Sequence, residues 1–177
     1  MPGVWSGPGN GRLAAMRVHL GSDHAGFELK EHLVARLAEA GHDVVDHGPP
    51  ALDPQDDYPP YCLAAATAVV LDGPAALGVV IGGSGNGEAI AANKVPGARC
   101  ALAWSLETAR LGRQHNDANL LSVGARMHSL DEALTFVEAF LDEDFSGDAR
   151  HQRRIDMLSE YERTGDLPPV PTGDRQG

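Results

Sequence analysis

The run Leu77-Gly78-Val79-Val80-Ile81, opening directly into Gly82-Gly83-Ser84-Gly85-Asn86-Gly87-Glu88, constrains the fold more than any other segment. A stretch with no polar face suits a strand covered on both sides, as in the middle of a parallel sheet. The glycines that follow let the backbone turn sharply and approach a ligand closely, ahead of a short helix through Asn93. The same alternation recurs along the chain. Arg17-Val18-His19-Leu20 reads as a first strand, leading into Gly21-Ser22-Asp23-His24-Ala25-Gly26. A helix over 26–40 follows, with Leu29, Leu33, Leu37, Val34 and Ala38 at helical spacing and Gly41 as its stop. Residues 43–46 form a short strand, 47–60 a proline-rich loop and 61–71 a second helix. Residues 100–104 and 120–123 complete the strands. Helices run from Ser105 to Gln114, from the capping box Ser129-Leu130-Asp131-Glu132 to Leu141, and over 147–163. Such a pattern implies an α/β fold with parallel strands, right-handed crossovers and helices on both faces. Ligands then bind beyond the carboxyl ends of the strands, where the two glycine-bearing loops lie.

Charge narrows the ligand. The 177 residues carry 14 Lys+Arg against 25 Asp+Glu, a formal net charge of −11. Nucleic acids and anionic membranes call for a dominant basic surface, so neither is expected as a partner. A small anion needs only a local cluster of cations and backbone donors. The two cysteines, Cys62 and Cys100, are too few for a disulfide framework or a Cys-rich zinc site. The Gly- and Pro-rich residues 1–15 read as a flexible extension rather than a signal peptide, with Met16 as an alternative start, and residues 165–177 as a C-terminal tail. The expectation is one cytoplasmic domain over 16–164.

The loop spacing matches neither G-x-G-x-x-G nor G-x-x-x-x-G-K-[ST], because position 88 is Glu and no Lys-Ser/Thr follows. Dinucleotide and Walker-type readings therefore fail. Glu88 at the opening of a helix is either a dipole-favourable carboxylate or a general base facing the loop's N–H donors. A base beside an array of donors is what proton abstraction next to a carbonyl requires, since the donors hold the enediolate oxygen, and Ser84 adds a hydroxyl. Asp23 is an ordinary N-cap by itself; with His24 beside it at a strand's carboxyl end, it becomes a site candidate. His115-Asn116 lie near that same end. A metal site from Asp23, His24 and His115 has no tight ligand motif behind it, so no metal or other cofactor is expected. Arg150 and Arg154, four apart on one helical face with His151 adjacent, are either a solvated basic face or, with Arg126, a forked phosphate grip.

Taken together, Gly21-Ser22-Asp23-His24-Ala25-Gly26, Gly83-Ser84-Gly85-Asn86-Gly87-Glu88, Ile90-Ala91-Ala92-Asn93-Lys94 and His115-Asn116 resemble the ribose-5-phosphate isomerases of the B type. The likeness covers residues 16–171, and 150–156 are most similar to the actinobacterial members. It implies interconversion of ribose 5-phosphate and ribulose 5-phosphate without a metal, on a Rossmann-like three-layer α/β/α sandwich. Five parallel strands ordered 2-1-3-5-4, and a homodimer or dimer of dimers with composite sites, are implied as well. One branch of that family moves the proton with a cysteine just ahead of the loop; here that position is Gly82, so the glutamate of the other branch, Glu88, takes the role. By the same resemblance Asp23 and His115 assist ring opening, and Ser84 with the Gly83, Gly85, Asn86 and Gly87 backbone holds the oxyanion. His24, Arg126, Arg150 and Arg154 grip the phosphate, some of them from a neighbouring subunit, with His151 in the motif. Asn116 and Tyr58 lie near the sugar. Six-carbon sugar phosphates are a neighbouring substrate class. A non-catalytic phosphosugar-binding module would keep the glycines and arginines but need neither Glu88, Asp23 nor His115.

Overall fold

The computed structural model describes residues 15–170. Five strands, β1 (Arg17–Ser22), β2 (Asp43–Asp46), β3 (Ala76–Gly82), β4 (Cys100–Ala103) and β5 (Leu120–Gly124), pair in parallel in the order β2-β1-β3-β5-β4. All seven residues of β3 are buried, as its unbroken apolar run demands. The helices are α1 (Phe27–Glu39), α2 (Tyr58–Asp72), α3 (Asn86–Ala92), α4 (Leu106–Asn116), α5 (Leu130–Asp142) and α6 (Ala149–Thr164).

Two apolar clusters, one on each face of the sheet, make three layers. Leu29, Leu33 and Leu37 of α1, Ala109 of α4, and Ala133, Val137 and Phe140 of α5 pack on Val18, Leu20, Val79, Ile81, Leu121 and Val123. On the other face Cys62, Ala65, Ala66 and Val69 of α2 and Ala91 and Ala92 of α3 meet Val80 and Leu120. The alternation of Val79 and Ile81 against Val80 is the period-two pattern of a strand feeding both layers. Cys62 is a core residue, its thiol pushed up by burial and then by the charge of Glu88; burial likewise pushes the Cys100 thiol up to about 12.

Element boundaries shift where local chemistry decides them. The second helix begins at Tyr58 rather than residue 61, with Pro59 and Pro60 inside its first turn. Those positions have no intrahelical partner for an N–H, so proline ends the loop early instead of blocking the helix. A 3-10 turn, His24–Gly26, precedes α1, and Asp23 caps it by accepting the Ala25 N–H at 3.0 Å. The expected cap of α5 is formed, Ser129 and Glu132 each satisfying the other's backbone N–H. Helix α4 starts with a similar reciprocal pair between Ser105 and Thr108. Helix α6 starts at Ala149 with Asp148 as its cap. Residues 165–170 carry no helix or strand and are exposed; of the proposed extension over 1–15, residues 1–14 lie outside the described residues, as does the end of the tail. No helix among the described residues is long and apolar enough to cross a membrane.

Candidate active site

Strand register decides which loops become neighbours. Ser22 pairs with Ile81, and Gly82 with Gly124, so the segments leaving β1, β3 and β5 emerge side by side. The chain winds one way from β1 to β2 and the other way from β3 onward, and the crevice at that reversal is where a parallel sheet takes its ligand. A cleft of about 440 Å³ opens there, lined among others by Asp23, His24, Tyr58, Gly83, Ser84, Gly87, Glu88 and Arg126. Eight of the residues singled out from the sequence thus share one cavity.

Glu88 sits at the bottom of this cleft, 4% exposed. Burial pushes its carboxyl above the usual carboxylate range, and the charge of Asp23 adds to that; its own backbone amide and that of Gly85 pull it back. Gly82 makes the placement possible. A Cβ at position 82 would lie 1.8 Å from Glu88 Oε1, so the carboxyl occupies the space that any side chain there would need. Gly85 has φ +83°, and a Cβ on it would press on Leu102 at 2.8 Å; its carbonyl accepts the Ser122 hydroxyl at 2.6 Å, which pins the loop to β5. The loop is therefore set by backbone rather than side chains, and it leaves Ser84 exposed, its hydroxyl accepting the Asn86 N–H at 3.3 Å. Gly85 and Asn86 shape the loop without lining the cleft.

Two basic side chains, Arg126 and His24, face the same cavity. The Arg126 side chain lies along Gly83, and its backbone N–H donates to the Gly83 carbonyl at 3.1 Å. His24 is held by a residue that sequence reasoning missed. Asp56 Oδ1 accepts the His24 backbone N–H at 2.8 Å and lies 2.9 Å from His24 Nδ1. That hydrogen bond, more than the charge of Asp23, raises the imidazole above its ordinary value. Asp56 stands among Asp53, Asp57 and several prolines in a polar loop, and nothing in the spacing sets it apart. Asp23, His24 and Asp56 each offer a ligand atom within 4.8 Å of the others, whereas the trio of Asp23, His24 and His115 weighed from the sequence shares no cleft.

The remaining candidates gather elsewhere. His115, Asn116, His151 and Arg154 line a second cleft, of about 540 Å³, between α4 and α6. The His115 and His151 ring centroids lie 4.2 Å apart, the rings tilted by 38°. Burial, with His115 and Arg150 nearby, pushes His151 down, and its Nδ1 lies 3.1 Å from the Ser146 hydroxyl. Arg150 lines neither cleft and is exposed beside Asp148 at 3.4 Å. No residue lines both cavities. This division was not legible from spacing, because residues 88 and 115 both follow strands of one sheet.

Comparison with known proteins places the fold in a family. The chain is 62% identical over 156 residues to ribose-5-phosphate isomerase B of Mycolicibacterium paratuberculosis, covering 88% of this chain and 98% of that protein. It is 58% identical over 159 residues to the Mycobacterium tuberculosis protein of that name, covering 90% and 98%. The structure of Mycoplasma genitalium ribose-5-phosphate isomerase B with bound ribulose-5-phosphate superimposes with a TM-score of 0.81 at 40% identity, over 84% of this chain and 97% of the other. The pattern described as Ribose/Galactose Isomerase matches residues 18–158, which hold nearly all of the sheet, the buried carboxyl at the strand reversal and the Glu88 cleft. The chain belongs to the Ribose/Galactose Isomerase family.

Proposed function

We propose that this protein interconverts D-ribose 5-phosphate and D-ribulose 5-phosphate, as a dimer whose sites draw on both copies. The observation that carries the reading is Glu88, a buried carboxyl raised toward neutrality in a cleft that also holds His24 and Arg126. A base works best with its pKa near the working pH, and burial supplies that shift. The ribulose-5-phosphate held by the Mycoplasma genitalium relative supports the substrate class. A pentose pathway enzyme of this kind is expected in the cytoplasm.

The phosphate binds first, to His24 and Arg126 on one copy and to Arg150 and Arg154 of a second. Asp23, with His115 from that second copy, moves the proton that opens the furanose ring. Glu88 then takes the proton from C2 of the open aldose while the C1 carbonyl becomes an enediolate oxygen, held by the loop amides and the Ser84 hydroxyl. Glu88 returns the proton to C1, the hydroxyl proton on O2 passes to O1, and the ketose carbonyl is left at C2. Phosphate binding far from these carbons supplies the alignment, so no metal is called on.

Support for the dimer comes from α6. Of its sixteen residues only His151 and Ile155 are buried, while Met157, Leu158 and Tyr161 stand exposed. A helix with apolar side chains on its open face is incomplete without a partner surface. We infer an isologous pairing in which the second cleft of each copy meets the Glu88 cleft of the other. The test is a coupled assay of ribose 5-phosphate to ribulose 5-phosphate, with and without chelator, beside analytical ultracentrifugation. Turnover that survives chelation and a dimer mass are expected; an inert protein, or full turnover by a monomer, overturns the reading. Running allose 6-phosphate and galactose 6-phosphate alongside sets the chain length preferred.

A further inference from the structure

We propose that Asp56 is a positioning residue of this enzyme, fixing which ring nitrogen of His24 carries a proton and which one meets the substrate's phosphate. The inference rests on the phosphosugar reading above and adds a residue to it. The Asp56 side chain is 6% exposed, though it sits in an irregular loop, and a carboxylate is rarely buried there without work to do. One oxygen, Oδ1, takes both the backbone N–H of His24 at 2.8 Å and the contact with its Nδ1 at 2.9 Å. The two contacts fix the start of the 3-10 turn and the rotation of the imidazole together.

The consequence is chemical. A carboxylate only accepts, so Nδ1 must carry hydrogen, and a neutral His24 would then present Nε2 as a bare lone pair. A lone pair repels a phosphate oxygen. Only the doubly protonated ring donates through Nε2, so the clamp makes phosphate binding depend on His24 being a cation. The same carboxylate favours that cation, and Asp23 Oδ2, 4.0 Å from Nδ1, adds to it. The other charged or titratable groups of the cleft are Arg126, which opposes the cation, Glu88, which favours it once ionised, and Tyr58. Tyr61 of α2 is pushed up by burial and then by the Asp56 charge, so it stays a neutral phenol beside the pair. Asp56 is thus the one carboxylate that both bonds the ring and sets its tautomer.

The test is NMR titration of His24 in the free protein together with the pH profile of kcat/KM for ribose 5-phosphate. In the wild type, His24 is expected to titrate above the ordinary value of about 6.5, with the alkaline limb of kcat/KM at the same midpoint. Asp56→Asn keeps an oxygen acceptor in place but removes the charge. It should lower both midpoints by at least about half a unit. It should also raise KM roughly tenfold at pH 7.5, with kcat changed less than about threefold. In a His24→Gln background, Asp56→Asn should add nothing further. A merely structural Asp56 would leave the kcat/KM limb in place even if the ring midpoint moved, and a further loss in that background would mean that it acts by another route; each result overturns the proposal. Should Asp56→Asn fail to fold, a wild-type His24 titrating at or below about 6.5 overturns it as well. A wild type inactive on ribose 5-phosphate refutes the substrate reading, while the NMR midpoints still judge the clamp.

Discussion

Glu88 and Gly82 have to be considered as a pair. The carboxyl lies where a side chain at 82 would stand, so Gly82→Ala should drive it out of the cleft and lower kcat at least about a hundredfold, with the circular dichroism spectrum unchanged. Glu88→Gln should lower turnover by about 10²–10⁴-fold while phosphosugar binding, followed by calorimetry, is largely kept. The pH dependence has a definite sign. Glu88 must be ionised to take a proton, so activity falls as pH drops through its raised pKa, and the acid limb lies above the ordinary 4.5. Stability runs the other way. A carboxyl whose pKa is higher folded than unfolded favours the fold at low pH and loses that contribution as pH rises. Glu88→Gln is therefore expected to raise the melting temperature, more at pH 8 than at pH 4, and a lower value at pH 8 would show that the buried charge is not a strain on the fold. The sequence marked Glu88 as a candidate through its place at the end of a glycine loop, and the structure buries it in the cleft. It left Asp56 unmarked, because burial of one acid among several in a loop has no signature in spacing.

At the scale of elements, the strands and helices were readable because period and punctuation agreed. Leu77 to Ile81 is apolar at every position but its glycine, and β3 is buried throughout. The disagreement at α2 has a physical cause, since Pro59 and Pro60 resemble loop residues in sequence yet fit a first helical turn. Caps offer a test that separates folding from catalysis. Ser129→Ala removes half of the reciprocal cap on α5, whose buried residues lie on the far side of the sheet from α2 and α3, and should cost about 1 kcal/mol in urea unfolding without changing kcat. Loss of turnover in that variant would place α5 in the site. Gly85→Ala differs, because φ +83° and the 2.8 Å approach to Leu102 act together. Strain of about 1–2 kcal/mol from the backbone alone should appear along with reduced activity.

For the whole molecule, the separation of Glu88 and His115 into two clefts gives a complementation experiment. If the site spans two copies, Glu88→Gln and His115→Ala proteins are each inactive, but a mixed dimer regains one intact site of two. Random exchange should restore about a quarter of wild-type activity. A mixture that stays inert after mass spectrometry has shown exchange would place both residues in one copy's site. Sequence could not reveal this division, because it is set by where α4 and α6 lie rather than by any residue type. Helix α6 buries only His151 and Ile155 against its own chain, with Glu162 accepting the Gly97 N–H at 2.8 Å. On the two-copy reading, the arginines it carries would serve mainly a neighbour. If two copies build each site, catalytic output per molecule becomes a matter of how crowded the molecules are: thinned below the point where copies find one another, an intact and fully folded population would fall silent.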